Sequence, residues 1–303
     1  MVAAITVSGK NGLEPRPFLR WAGGKDQLLE PILSLVPKRF NAYHEPFIGG
    51  GAVYFAMVRE RRIKGAAYLS DLNHRLVTCY RMVRSRPQDV IDELERLMQE
   101  RTLEGYLRAR TEFNRGVRER RSGVFGLFTD STPPSPIRLA ALFVFLNRIC
   151  FNGLFRENQK GEFNVSFDPS KVTADVVRGD VLLAASSSLQ GAEILEADFL
   201  SSTSLARAGD FIFFDPPYVP VSVTASFDQY TADGFGMDHQ ASLAEACQDL
   251  AKRSINFLLC NSAHPAVLEL YKGFEISHVR AIRSVNCKGT GRGAVDEVLI
   301  RNY

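Results

Sequence analysis

Cysteine and histidine are sparse in this chain and fall in no pattern that chemistry would recognise. Cys79, Cys150, Cys247, Cys260 and Cys287 show no paired spacing, which excludes a disulfide framework and fits reduced thiols of a cytoplasmic protein. The five histidines are equally scattered, so no metal centre is expected. Long apolar runs are absent. The longest covers 139–146, stops at Asn147-Arg148 and is too short to span a bilayer, so no membrane role is expected. The first 17 residues lack a cationic start followed by an apolar stretch, and no secretory signal is expected. There is no internal repeat and no low-complexity tract. A phosphate loop is missing too: Gly23-Gly24-Lys25 invites it, but Asp26 stands where that motif needs Ser or Thr, and the upstream glycine is absent. Charge of one sign is also lacking, since the net charge is only +3. Its distribution says more: residues 72–172 hold 17 Lys+Arg against 12 Asp+Glu, which leaves the remainder mildly acidic. A basic middle inside an acidic remainder suggests a polyanion-facing insertion in another domain.

What is present organises around Phe211-Ile212-Phe213-Phe214-Asp215-Pro216-Pro217-Tyr218. Four apolar residues closed by two prolines predict a strand buried in a parallel sheet. The residue before a proline is held extended, so Asp215 leaves the strand end facing the crevice where open α/β sheets bind ligands. A carboxylate, the Pro216 carbonyl on a stiff loop and the Tyr218 ring together suit a planar amine. Upstream, a strand at 43–47, Gly49-Gly50-Gly51 and a helix at about 52–61 form a strand–turn–helix unit through which backbone can approach a ligand. A second strand at 66–70 delivers Asp71, 20 residues past Gly51, about where nucleoside-binding units place an acid on ribose hydroxyls. Alone, the same residues also suit a tight turn and a helix-capping aspartate. A strand at 192–197 delivers Asp198. Further elements are expected at 238–252 (helix), 256–260 (strand), after Pro265 (short helix), and at 275–282 and 295–302 (antiparallel strands).

The middle segment reads as helical over 73–121 and 137–148, with a proline-rich loop at 132–136 and a basic run at Arg118, Arg120 and Arg121. Between Cys150 and Asp168, Phe151, Phe155, Phe163 and Phe167 alternate with Arg156 and Lys160 around Gly153 and Gly161, just after Arg148. That is a β-hairpin or glycine-punctuated loop whose aromatics can wedge or stack on bases while its cations hold phosphate or a guanine edge. A small satellite core under a loop has the same composition.

In order along the chain stand Arg20-Trp21-Ala22-Gly23-Gly24-Lys25, Glu45-Pro46-Phe47-Ile48-Gly49-Gly50-Gly51, Ser70-Asp71-Leu72-Asn73, Asn147-Arg148, Phe151 to Arg156, Gly161-Glu162-Phe163-Asn164-Val165, Ala197-Asp198-Phe199 and Asp215-Pro216-Pro217-Tyr218. Together, over nearly the whole chain, they resemble the Dam-type DNA adenine N6-methyltransferases. The resemblance implies a Rossmann-like seven-stranded α/β methyltransferase sheet, formed by 1–71 and 173–303, with a helical and β-hairpin target-recognition domain inserted at 72–172. It implies S-adenosylmethionine as methyl donor, double-stranded DNA as partner, GATC as target, and room for a cognate restriction endonuclease. It places Trp21, Gly24, Lys25 and the loop Glu45, Pro46, Phe47, Gly49 and Gly51 around the methionine end of the cofactor. Asp71 falls on the ribose, and Asp198 with Phe199 on the cofactor adenine. Asp215, Pro216 and Tyr218 surround the target base, Asp215 also bordering the cofactor. Arg20, Arg148, Phe151, Asn152, Leu154, Arg156 and Ser166 fall at DNA-contacting positions. Two of these depart from the family pattern: Arg20 where lysine is usual and Ser166 where proline is usual. Both departures touch sequence reading rather than chemistry. The residues by themselves leave open a methyltransferase acting on another planar amine or amide, and a catalytically silent DNA-binding protein.

Overall fold

The computed structural model describes residues 14–21, 23, 25, 27–115, 117, 132–172, 177–218, 235–282 and 294–303. Gly24, the basic run at 118–121, and residues 219–234 and 286–293 lie outside the described residues.

Seven strands form one sheet: β1 (Tyr43–Glu45), β2 (Ala67–Asp71), β3 (Ala192–Glu196), β4 (Phe211–Phe214), β5 (Asn256–Ser262), β6 (Glu275–Ile282) and β7 (Ala294–Arg301). Their order is β3-β2-β1-β4-β5-β7-β6. The first five are parallel, and β7 runs antiparallel between β5 and β6. Strand order reverses between β1 and β4, so the crevice outside their carboxyl ends is the expected ligand site. β4 shows why a continuous apolar run marks such a strand: Phe211 and Phe213 enter the core on one face of the sheet, Ile212 and Phe214 the core on the other.

The helices among the described residues are α1 (Leu29–Leu35), α2 (Ala52–Arg59), α3 (His74–Ser85), α4 (Pro87–Met98), α5 (Leu103–Phe113), α6 (Pro136–Ile149), α7 (Gly179–Leu189), α8 (Phe199–Ser204), α9 (Met237–Lys252) and α10 (Pro265–Leu270). The long helical stretch of the middle segment is thus three helices. Pro87 opens α4, where its missing N–H costs nothing, and Thr102 caps α5 through a hydrogen bond from Gly105 N at 3.1 Å. The whole insertion lies in the crossover from β2 to β3. It shares one hydrophobic core with the sheet, since Val77 and Tyr80 of α3 and Phe143 of α6 cluster with Tyr43 and Phe55.

Several charges of the insertion are paired in place among the described residues. Arg86 pairs with Asp89, Arg108 with Glu100 and Glu104, and Arg138 with Glu93 and Glu112. Arg81 and Arg84 donate to carbonyls of β3.

Candidate active site

Asp215 sits one residue past the end of β4, and its carboxylate receives the Lys25 ammonium at 2.8 Å. Lys25 is buried, and its Nζ also donates to the Gly23 carbonyl at 2.8 Å and lies 4.7 Å from the centre of the Tyr218 ring. Burial works to lower the Lys25 pKa, but Asp215, Cys260 and Glu297 outweigh it and the net shift is upward. Burial raises the Asp215 pKa, Lys25 opposes it and Glu297 adds to it. Pro216 is buried beside it. The Pro217 carbonyl is held by Gln240 Nε2 at 3.0 Å, and Asn261 Nδ2 holds Gln240 Oε1 at 3.0 Å. This fully buried amide relay from α9 and β5 fixes the loop. Tyr218 donates its hydroxyl to Glu297 Oε2 at 2.8 Å and lies 2.8 Å from Cys260 Sγ.

Across the strand-order reversal, β1 ends at Glu45. Its side chain accepts the Tyr43 hydroxyl at 2.7 Å, and burial pushes its pKa up to about 8. Pro46 is buried behind it, and the glycine loop follows. The glycines are required, but by protein packing. A Cβ on Gly49 would meet the Trp21 indole at 2.8 Å, and one on Gly51 would meet the Tyr80 hydroxyl at 2.7 Å, each at positive φ. Trp21 is wedged against this loop and stacks on Phe155, 5.5 Å between ring centres.

Asp71 ends β2. Its Oδ2 accepts Gly49 N at 3.3 Å and its Oδ1 accepts Asn73 N at 2.9 Å. Burial raises its pKa to about 6 against the pull of these amides. Asp198, after β3, is exposed and caps α8 through Ser201 N at 2.7 Å. Phe47 stacks on Phe199 at 5.7 Å, and Phe235 closes the group edge-on to Phe47 at 5.6 Å. A cleft of about 2080 Å³ runs from Asp71 and Asp198 past Glu45 and Asp215 to Asn152, Leu154 and Phe155.

The segment after α6 folds back as a hairpin joined by two isolated bridges, Cys150 to Phe167 and Glu157 to Phe163. Asn158 accepts Gly161 N at 2.8 Å to close its tip. Of the four phenylalanines read as base-contacting candidates, only Phe151 is exposed, at 48%. Phe155 stacks on Phe143 at 5.1 Å, Phe163 is buried against Phe113, and Phe167 packs on Tyr106. Those three make the satellite core. Arg20, Asn152, Arg156 and Ser166 are exposed, with Asn152 at φ 55°. Asn147 clamps this surface together: its Oδ1 accepts Arg20 N at 2.8 Å, and its Nδ2 donates to the carbonyls of Arg20 at 2.8 Å and Gly153 at 2.9 Å. Arg156 Nε donates to Asn164 Oδ1 at 2.9 Å. Leu154 packs partly into the main core, and Arg148 reaches back to the Phe18 carbonyl at 2.6 Å, lining the cleft. Sequence reasoning missed Glu297, Cys260, Gln240, Asn261 and Phe235, which stand far from every motif in the chain.

A seven-stranded sheet in this order, with acidic side chains at the ends of β2 and β4 and another just past β3, all on one cleft, defines a Rossmann-like methyltransferase. The chain belongs to the D12 class N6 adenine-specific DNA methyltransferases, whose family profile matches residues 21–285. It is 34% identical over 97% of its length to the type II methyltransferase M1.LlaDCHI of Lactococcus lactis subsp. cremoris, covering 98% of that protein. It is 36% identical over 96% of its length to the type II methyltransferase M.MjaIII of Methanocaldococcus jannaschii, covering all of it. With the DNA adenine methylase of Escherichia coli K12 the figures are 32%, 94% and 94%. Membership implies a methyl donor and a DNA substrate. Among the described residues no cluster could hold a metal ion, and no helix is long and apolar enough to cross a membrane.

Proposed function

We propose that the protein transfers a methyl group from S-adenosylmethionine to N6 of an adenine flipped out of duplex DNA, with GATC as the target. The observation that carries this reading is the Asp215 carboxylate, fixed by Lys25 on the wall of a cleft that joins the nucleoside-type acids to the hairpin.

The donor set fits the cofactor. Asp71 offers carboxylate oxygens to a ribose diol, Asp198 offers an acceptor to an adenine amine, and Phe47, Phe199 and Phe235 give an apolar wall between them. Trp21, Lys25, Glu45 and the Gly49–Gly51 backbone border the methionine end. Bound there, S-adenosylmethionine supplies an electrophilic sulfonium methyl. The chain's own groups do the rest. The Asp215 carboxylate and the Pro216 carbonyl accept the two N6 hydrogens and draw the nitrogen lone pair out of the ring. The Asp215 carboxylate, paired with the Lys25 ammonium, is also the acceptor placed to take the proton that N6 must lose. Tyr218 stacks on the base. The gain comes from orientation and from a field arranged in advance. The target amine is out of reach in a stacked duplex, hence the flipping.

In this reading residues 72–172 form the target-recognition unit and 1–71 with 173–303 the catalytic unit. Arg20, Phe151, Asn152, Arg156 and Ser166 face DNA, with Leu154 and Arg148 supporting them. GATC rests on the motif resemblance. The type II names of two relatives support a restriction endonuclease of the same specificity as partner. The test is labelled methyl transfer to DNA by the purified protein, followed by sequencing of the modified positions. Methyladenine at GATC is expected. Modification of another tetranucleotide overturns the specificity, and cofactor binding without transfer to any DNA overturns the chemistry.

A further inference from the structure

Glu297 belongs to no motif in the chain, yet it closes the back of the active site. It lies on β7 opposite Ser262 of β5, and alternation along β7 puts it on the same sheet face as Leu299, with the main core behind it. Only 7% of it is exposed. A carboxylate at such a position is costly unless polar groups meet it. It is met by the Tyr218 hydroxyl at 2.8 Å and by Cys260 Sγ at 3.6 Å. Neither neighbour needs a carboxylate for packing, and an apolar residue beside Leu299 would serve the core as well. The charge therefore calls for an explanation in the site that Tyr218 borders.

We propose that Glu297 is a positioning residue for methyl transfer. It fixes the plane of the Tyr218 ring through the hydroxyl, and its charge acts on the Lys25–Asp215 pair. The proposal rests on the reading of Asp215 and Tyr218 as the groups that hold the target adenine. The ring of Tyr218 has the Lys25 ammonium over it and Asp215 beside it, so its tilt determines where a stacked base presents its amine. The charged and titratable groups facing Glu297 are Lys25 before α1, Asp215 and Tyr218 after β4, and Cys260 of β5. Glu297 pushes the Asp215 pKa up and helps hold the Lys25 ammonium.

The experiment compares Glu297→Gln, Tyr218→Phe and the double variant in single-turnover and steady-state methylation across pH, with cofactor affinity by calorimetry and thermal melting as controls. Glu297→Gln is expected to lower kcat about tenfold to a hundredfold, the effect of removing one charge-assisted hydrogen bond. Cofactor affinity and melting temperature should stay at their wild-type values. The effects of the two substitutions should not multiply, because both break the same contact. The acid limb of kcat/KM should move to lower pH in Glu297→Gln, since Asp215 loses a like-charged neighbour. Tyr218→Phe should not move it to lower pH, since the Tyr218 hydroxyl holds the Asp215 pKa down. Glu297→Asp, which keeps the charge but shortens the reach, should lower kcat with the limb unmoved. Wild-type turnover in Glu297→Gln, effects that multiply, or an acid limb that stays put overturns the proposal. If Glu297→Gln does not fold, Tyr218→Phe decides it alone: full turnover after loss of the hydroxyl overturns the positioning role. Should Asp215→Ala retain activity, the underlying site reading fails instead, which keeps the two failures distinct.

Discussion

Asp71 lines the cleft, Arg156 stands on the hairpin next to it, and the two are held by different means. Asp71 ends a strand paired on both sides, and backbone amides at Gly49 and Asn73 grip its two oxygens. Arg156 stands on a hairpin with two isolated bridges, where the side chain of Asn164 holds its guanidinium. The hairpin has backbone bonds of its own, Asn164 N to the Arg156 carbonyl at 3.1 Å among them, but side chains tie it to the helices of the insertion. Arg75 of α3 reaches Glu157, the Gly161 carbonyl at 2.8 Å and Asn114 Oδ1 at 3.2 Å. Asn114 in turn pairs with both backbone groups of Phe163, at 2.8 and 3.0 Å. Backbone-built geometry tolerates sequence change and suits chemistry that must not vary. Side-chain-built geometry can be re-aimed by single substitutions and suits recognition.

The largest expected effect tests the rigid end. Asp215→Ala should lower methyl transfer by at least about a hundredfold, the scale for removing one preorganised polar partner of a reacting group. Cofactor affinity should change little, because the nucleoside half of the cleft is untouched. Single-turnover kinetics beside calorimetry checks both, and near wild-type turnover would remove Asp215 from the mechanism.

Second comes the anchor of the adaptable end. Arg75→Leu leaves Glu157 and the Gly161 carbonyl without the guanidinium and should destabilise the protein by about 3 kcal/mol, the low end for breaking a buried pair, since Glu157 is partly exposed. Limited proteolysis within 150–167 should accelerate, and DNA affinity should fall while cofactor affinity holds. Equal loss of both affinities would show that the two ends are one mechanical unit.

How far the sequence carried these distinctions depends on what each element rests on. β4 was legible because an apolar run closed by two prolines has few other solutions, and the antiparallel pair β6–β7 because both strands are long. α7 was hidden by Ser186-Ser187-Ser188, which reads as a loop, and α1 and α8 were too short to show a period. The glycine loop was found at the right place, but the contacts that demand Gly49 and Gly51 come from Trp21 and Tyr80, both distant in sequence. Phe155, Phe163 and Phe167 have the composition of a base-stacking surface and the packing of a core. Glu297 and Gln240 could not be read at all: sheet pairing and a helix that packs behind it bring them to the loop after β4, and no local pattern records that.

Third is the cofactor end itself. Asp71→Ala should weaken S-adenosylmethionine binding by about 2 kcal/mol, roughly thirtyfold, for one charge-assisted hydrogen bond. pH sharpens the point. The Asp71 pKa stands at about 6, so the carboxylate that a ribose diol prefers is present above that value and lost below it. Affinity should therefore rise as pH increases through about 6, and Asp71→Asn should flatten that dependence. An unchanged dissociation constant, or a dependence that survives in Asp71→Asn, counts against the ribose assignment.

The smallest effect, and the most local, is expected at Arg156. Its guanidinium is exposed next to the Glu157–Phe163 bridge near the hairpin tip, and Asn164 orients it without burying it. Arginine can take guanine O6 and N7 in a bidentate fork, and a good pair of this kind discriminates by about 1–3 kcal/mol. Arg156→Ala should then relax preference at one base pair of the target and leave the others alone. A contact to phosphate behaves differently: its loss weakens binding to all sequences alike and lowers the salt dependence. Methylation of GATC against its single-base variants, for wild type and Arg156→Ala at two salt concentrations, separates the two. Uniform slowing on every site, with a shallower salt dependence, would make Arg156 a backbone contact and move the reading function to its exposed neighbours. Arg20 and Ser166 are then the residues to exchange, Arg20→Lys and Ser166→Pro restoring the usual pattern at the two places where this chain departs from it. A change of preferred base in either exchange would show the side-chain-built end being re-aimed while Asp71 and Asp215 stay where the strands put them.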